Sequence, residues 1–252
     1  MDTKSQMKQL GVCVIIPTYN NGSTIGTVID NCKAWTDDII VVNDGSTDAT
    51  SEILASYGKE RIAIVSYPRN KGKGHALKKG FAYAKAHRYQ YALTIDADGQ
   101  HSTDDIPGFI QAISLHPHSL IMGSRNIQAE NMPRKNTFAN KFSNFWFTVQ
   151  TLRRIPDTQT GYRLYPLGYM GSLWWLTSKY EAELELLVFA AWHGVNIIPI
   201  PVHVFYPSAE ERVSHFRPGM DFFRISVTNT VLCLLAIVYG GPRMLINKLK
   251  GH

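Results

Sequence analysis

The chain has 252 residues, 44% of them hydrophobic and 18% charged, enough apolar material for a large core and a composition that excludes a disordered chain. Lys and Arg outnumber Asp and Glu by 26 to 20, a net charge of +6, which suits anionic partners such as nucleic acid, nucleotide phosphates or anionic lipid. Cys13, Cys32 and Cys233 are odd in number and scattered, so neither a disulfide framework nor a zinc knuckle is expected and a reducing compartment fits. Residues 1–10 carry Asp2, Lys4 and Lys8 without the apolar run of a signal peptide, and the expectation is a chain that stays in the cytoplasm.

In chain order, short β-branched runs alternate with helical patterns. Val12–Ile16, Ile39–Asn43, Ile62–Ser66, Tyr91–Ile95 and Leu120–Gly123 read as strands. Ser23–Trp35, Thr47–Tyr57, Gly74–His87 and Thr103–Leu115 read as the helices between them, with Ser46, Ser102 and Thr103 placed to cap. This alternation predicts right-handed βαβ units and an α/β fold with a mostly parallel sheet. Beyond Arg125 the regularity is lost. A basic, aromatic stretch Pro133–Arg154 is followed by a Gly/Pro/Tyr-rich connection Ile155–Met170, a helix over Lys179–His193, and Val195–Val204, whose prolines make it an edge strand. Met220–Tyr239 reads as helical up to Gly240-Gly241-Pro242, and its longest apolar run, Val231–Tyr239, falls far short of the ~20 residues of a membrane span.

In an open α/β sheet, ligands bind beyond the carboxyl ends of the strands, and here those ends are polar: Pro17-Thr18-Tyr19-Asn20, Asp44-Gly45-Ser46, Asp96-Ala97-Asp98-Gly99-Gln100-His101 and Ser124-Arg125. A lone Asp in such a turn is commonly a cap. Asp96 and Asp98, two apart in an extended stretch, point the same way, and that crowding calls for a cation between them. Hard oxygen donors suit Mg²⁺ or Mn²⁺, which also bind substrate phosphates.

Taken in order, Ile16–Asn20, Val42–Asp48, Asn70-Lys71-Gly72-Lys73-Gly74, Asp96–His101, Gly123-Ser124-Arg125 and Asp157–Tyr165 resemble the family-two inverting glycosyltransferases of GT-A fold, and among them the dolichyl-phosphate (polyprenyl-phosphate) sugar synthases. The resemblance covers roughly residues 10–220 and implies a Rossmann-like sheet with helices on both faces. It also implies that a hexose moves with inversion from a UDP- or GDP-sugar to a lipid phosphate, with Mg²⁺ or Mn²⁺ assisting, and that nucleic acid is not a partner. Residue by residue, it places Pro17, Tyr19, Asp44, Asp96, Ala97 and Asp98 at the nucleotide, Asp96, Asp98 and Gln100 at the metal, and Arg125 at phosphate. Asn21 stands where the family commonly has Glu. Arg212, His215 and Arg217 stand where the family grips the donor phosphates, with His215 at the expected lysine position. Lys73 opens a helix, either as a nucleotide contact or as a plain surface charge.

For the acceptor, the resemblance offers Arg125, Arg134 and Lys135, the last two at the start of an aromatic helix on which Phe138, Phe142 and Phe145 share a face, a stripe that is usually core. Val227, Val231, Leu234, Leu235 and Val238 form a second stripe, followed by Arg243, Lys248 and Lys250. It reads as a helix lying on the cytoplasmic leaflet, with a buried core helix and packing in a homo-oligomer as the other options. The expected division is therefore a catalytic domain over 1–218 and an amphipathic segment over 219–252. A hydroxyl acceptor would instead need a base, for which Glu181, Glu183 and Glu185 offer carboxylates that otherwise read as a solvated helix start. A nucleotidyltransferase would need a cationic loop after the first strand, and Thr18-Tyr19-Asn20-Asn21-Gly22 has no cation. A non-catalytic membrane adaptor is the remaining alternative, opposed by the intact Asp96, Asp98 and Arg125.

Overall fold

In the computed structural model the described residues are 2–59, 62–125, 134–170, 177–205 and 218–249. Seven strands form one sheet: β1 (Val12–Thr18), β2 (Ile39–Asn43), β3 (Ile62–Ser66), β4 (Tyr91–Thr94), β5 (Leu120–Ser124), β6 (Arg163–Pro166) and β7 (Ile197–Pro201), in the order β3-β2-β1-β4-β6-β5-β7. All pairings are parallel except those of β6, which runs antiparallel to both β4 and β5. The expected edge strand is therefore confirmed in β7. The expected connection Ile155–Met170 is corrected: its end is a central strand. β6 is only four residues long and carries a charged residue, Arg163, so it shows neither the length nor the apolar run by which a strand is recognised.

Alternate residues of β1 feed two cores. Cys13 and Ile15 face the side covered by α4 (Lys73–Ala86), α6 (Arg134–Thr151), α7 (Glu181–Trp192) and α8 (Pro218–Leu235). Val12, Val14 and Ile16 face α1 (Thr3–Leu10), α2 (Ile25–Lys33), α3 (Thr50–Ser56) and α5 (Ile106–Leu115). β1 is buried along its whole length, as a central parallel strand covered on both faces must be. Helix α1 was not expected from its polar sequence; the Asp2 carboxylate accepts from the Ser5 N–H at 2.7 Å and Gly11 closes the other end. Ser102 caps a 3-10 turn ahead of α5, as expected. Ser46 does not cap; its hydroxyl accepts from the Asn20 N–H.

The C-terminal helix does not end at Gly240-Gly241-Pro242. A π turn over Ala236–Gly240 passes into α9 (Gly241–Leu249), and Pro242, which has no N–H to donate to the preceding turn, follows directly on that π turn. Gly240 lies against the Trp192 indole with no room for a Cβ. The resulting run Phe223–Leu249 has 27 residues and is, by length and composition, apolar enough to cross a membrane, which corrects the count made on uninterrupted apolar residues. It is nonetheless tied to the globular body along its length. The Gln150 Nε2–H donates to the Asn229 side chain at 2.9 Å, Tyr239 Oη meets His193 Nε2 at 3.1 Å, and the Asn247 Nδ2–H donates to the Trp192 carbonyl at 3.0 Å.

Candidate active site

The carboxyl end of β1 is locked to the turn after β2. The Asn20 carbonyl oxygen of the side chain accepts from the Thr47 N–H at 2.8 Å, the Asn21 N–H donates to the Thr50 hydroxyl at 3.0 Å, and the Gly22 N–H donates to Asp48 at 2.9 Å. Pro17 lies inside β1, and Tyr19 sits half-buried at the rim. Asn21 turns inward: its Oδ1 accepts from the Thr18 hydroxyl and the Tyr19 N–H, so its side chain shapes this loop. Asp44 is buried, and its two oxygens accept the N–H groups of Lys71 and Gly72 at 2.7 and 2.8 Å, so it positions the loop that opens α4. The Ala97 carbonyl accepts from the Thr24 hydroxyl at 2.6 Å, anchoring the turn after β4 to the start of α2.

Lys73 is not a surface charge. Its Nζ stands 2.6 Å from Asp96 Oδ1 and 3.0 Å from Glu183 Oε2. Burial alone would lower this ammonium, but Asp96 and Glu183 outweigh burial and raise it. Gly161 permits the arrangement, because a Cβ there would stand 2.6 Å from Lys73 Nζ and 2.7 Å from Asp96 Oδ2. Burial pushes Asp96 up, but Lys73 chiefly overrides it, so Asp96 titrates below the ordinary range and stays ionised. Asp98 behaves oppositely: burial and then the neighbouring Asp96 push it up to about 6. One of its oxygens accepts from the Gln100 N–H at 3.0 Å. His101 is pushed down to about 4, mainly by burial, so it is neutral at pH 7.

The crowding of Asp98 has a measurable consequence. Its folded-state pKa lies above the ordinary 3.8, so the ionised form opposes folding at neutral pH. In chelator-containing buffer at pH 7.5, Asp98→Asn is expected to stabilise the fold by about 1–2 kcal/mol, allowing for partial exposure. The gain should shrink as the pH falls from 6 towards 4, where the folded-state carboxyl takes up its proton, and vanish below 3.8, where the unfolded state is protonated as well. Denaturant melts across this range check it; a gain that is flat in pH, or a loss, excludes the crowding.

Arg125, expected at phosphate, closes a fork on the fully buried Asp157: Nε to Oδ2 at 2.6 Å and Nη2 to Oδ1 at 2.9 Å. The Arg125 and Gln159 backbone N–H groups and the Asn140 side-chain amide also donate to Asp157. Arg125 thus joins the end of β5 to the segment before β6 through its Nε and Nη2. Asp157 was missed because a carboxylate shows its partner only once β5 and β6 are adjacent. Arg163, fully buried, donates to the carbonyls of Glu183 and Thr158 at 2.7 and 2.9 Å.

The three glutamates of α7 are buried, which corrects the solvated-helix reading. Glu183 faces Lys73, Glu185 accepts from the Thr177 N–H and hydroxyl at 3.0 and 2.6 Å, and Glu181 keeps a buried oxygen with no hydrogen-bond partner. Arg212, His215 and Arg217 lie outside the described residues, as do the side chains of Arg134, Lys135 and Phe138. Among the described residues no three His, Cys, Asp or Glu side chains cluster as a metal site. The carboxylates that crowd at the end of β4 are Asp96 and Asp98, a pair that suits a hard divalent cation whose remaining oxygens come from a bound phosphate.

The family model described as glycosyl transferase family 2 matches residues 13–168. Among curated proteins, the UDP-N-acetylglucosamine–dolichyl-phosphate N-acetylglucosaminyltransferase of Methanococcus voltae is 29% identical over 215 residues, covering 77% of this chain and 86% of that one. The dolichyl-phosphate beta-glucosyltransferase of Saccharomyces cerevisiae is 25% identical over 226 residues, covering 77% and 67%. Among solved structures, glucosyl-3-phosphoglycerate synthase from Mycobacterium tuberculosis with Mn²⁺, UDP-glucose and phosphoglyceric acid superposes with a TM-score of 0.64 at 20% identity, over 92% of this chain and 82% of that one. That last likeness is one of fold.

Proposed function

The chain belongs to glycosyl transferase family 2, and on that premise we propose that it transfers a hexose from a UDP- or GDP-sugar to a polyprenyl phosphate at a membrane surface. The observation that carries the donor half is the Asp96 and Asp98 pair at the carboxyl end of β4, one carboxylate held ionised by Lys73 and the other pushed up to about 6 by burial and its neighbour. Asp96, Asp98 and Gln100 would hold Mg²⁺ or Mn²⁺; when bound, the ion supplies Lewis-acid stabilisation of the diphosphate as it leaves. Pro17, Tyr19 and the Asp44-ordered loop Lys71-Gly72 would frame the nucleotide, and Arg212, His215 and Arg217 would grip its phosphates. Relatives named for dolichyl-phosphate transfer of glucose and N-acetylglucosamine support the acceptor class.

A phosphate oxygen of the lipid attacks the anomeric carbon, the bond from that carbon to the donor diphosphate breaks, and the nucleoside diphosphate leaves with the electron pair. Attack from the far face inverts the centre. The lipid phosphate is already anionic, so no general base is needed, in keeping with Glu183 and Glu185 being engaged by Lys73 and Thr177. The unpartnered oxygen of Glu181 supports a second reading, a hydroxyl acceptor deprotonated by Glu181.

The acceptor half rests on helices of inverted polarity. α6 buries Asn140, Ser143, Gln150 and Thr151 beside Phe147, while exposing Phe145 and Val149, with Leu152 exposed just past its end; the aromatic stripe expected in the core thus faces outward in part. α8 buries Asn229 against Gln150 and exposes Phe223, Val227, Val231 and Leu234. Leu235, expected on the outer stripe, packs against the core instead. An exposed apolar face over buried polar groups supports docking of residues 219–252 on the cytoplasmic face of a membrane, where Arg134 and Lys135 would meet the lipid phosphate.

A panel of UDP- and GDP-sugars with Mn²⁺ or Mg²⁺ and polyprenyl phosphate tests the proposal. The matching nucleoside diphosphate with metal, at about 100 times its Kd, should raise Tm by about 5–10 °C, and a sugar-phosphate lipid should form. No shift and no product across the panel rejects the reading. Product with a hydroxyl lipid alone, lost in Glu181→Gln, establishes the second reading.

A further inference from the structure

We propose that Glu183 is a positioning residue that sets how tightly Asp96 and Asp98 hold a divalent cation, by sharing Lys73 with Asp96. The inference rests on the donor-site reading above. Lys73 Nζ contacts Asp96 Oδ1 at 2.6 Å and Glu183 Oε2 at 3.0 Å, and all three side chains are largely withdrawn from solvent. A buried ammonium against a metal-binding carboxylate competes with the metal for that carboxylate's charge, and in a poorly screened site the competition is strong. Glu183 reaches the ammonium from a separate element, α7. Its presence lets Asp96 turn part of its charge to a metal without leaving the lysine buried and unpaired, a state that is costly.

The two helices are built to keep this reach fixed. At the start of α4, Gly74 lies against Ala182 and Ser178 with no room for a side chain. The His75 N–H donates to the Ser178 carbonyl at 2.9 Å, so α4 and α7 abut at their N-terminal ends and carry Lys73 and Glu183 toward each other. Arg163, bonded to the Glu183 carbonyl at 2.7 Å, fixes the same turn of α7 from the sheet side. Among Asp96, Asp98, Glu183 and Lys73 two negative charges remain uncompensated, the complement of a divalent cation. Neutralising Glu183 removes one of them and leaves Lys73 to Asp96 alone.

The test is a double-mutant cycle read by Mn²⁺ binding, followed by electron paramagnetic resonance with saturating UDP and, separately, GDP. Glu183→Gln is expected to raise the Mn²⁺ Kd by roughly ten-fold or more, and Glu183→Asp, which keeps the charge but shortens its reach, by roughly three-fold. Lys73→Gln should tighten Mn²⁺ binding, and in the Lys73→Gln background the Glu183→Gln change should cost less than about three-fold, because its route through the lysine is gone. A purely structural glutamate would lower Tm without this coupling. Mn²⁺ affinity within two-fold of wild type in both glutamate variants, or an equal loss in both lysine backgrounds, overturns the proposal. Should Glu183→Gln not fold, Glu183→Asp alone decides on the same criterion. Wild-type protein that binds no Mn²⁺ with either nucleotide overturns the donor-site reading, and the role of Glu183 with it.

Discussion

Asp98→Ala is expected to lower sugar transfer by at least ~100-fold, the range seen when one preorganised electrostatic contact to developing charge is lost, while the variant melts at a higher temperature than wild type at pH 7.5. The two effects have one cause. Asp98 is held where burial and the charge of Asp96 push its pKa up to about 6, an arrangement that opposes folding and is retained only where a ligand uses it. A carboxylate that served as a cap would show the reverse pattern, with stability lost and activity falling in proportion. Transfer assayed with saturating donor and acceptor, alongside melts in chelator, separates these cases. Unchanged transfer in Asp98→Ala, or full wild-type activity in excess chelator, rejects the metal role.

How far the sequence reaches is set by the range of the interactions involved. The five strands from Val12 to Gly123 and the four helices between them follow from local periodicity and turn residues, and the structure moves most of their ends by only one to three residues. The placement of Asp44, Asp96 and Asp98 at strand ends follows from the same pattern. What was not legible depends on pairs far apart in the chain. Lys73 reads as the first residue of a solvated helix until α7, 110 positions later, brings Glu183 to it. The Asp157 partner of Arg125 shows only once β6 inserts beside β5 and sets that carboxylate against the guanidinium. The inversion of α6 misleads for a different reason. Its aromatics have the spacing of a core stripe, and only the polar partners waiting inside, Asp157 for Asn140 and Asn229 for Gln150, show which side faces in.

Leu234→Glu combined with Val238→Glu is expected to release the protein from anionic liposomes in flotation and to abolish transfer to polyprenyl phosphate, while nucleoside diphosphate binding persists. Leu234 and Val238 are 61% and 73% exposed, so the charges meet solvent in the free protein and the fold should tolerate them. They continue into an apolar face of Ile237, Leu245 and Leu249 on the same helical run, with Arg243 and Lys248 beside it. Fully burying one such side chain contributes roughly 1.5–3 kcal/mol, and each basic residue near an anionic leaflet about 1 kcal/mol, so even partial burial of several holds the protein at the surface. Asn229, Tyr239 and Asn247 tie the run at three points to Gln150, His193 and Trp192, and the proposal of an interfacial anchor rests on these ties together with the exposed apolar face. If the double variant still floats, or if wild-type protein never does, the run is not an interfacial anchor. Detergent-dependent extraction of both proteins would then indicate a span, and a concentration-dependent rise in mass without lipid would indicate an interface between copies of the chain.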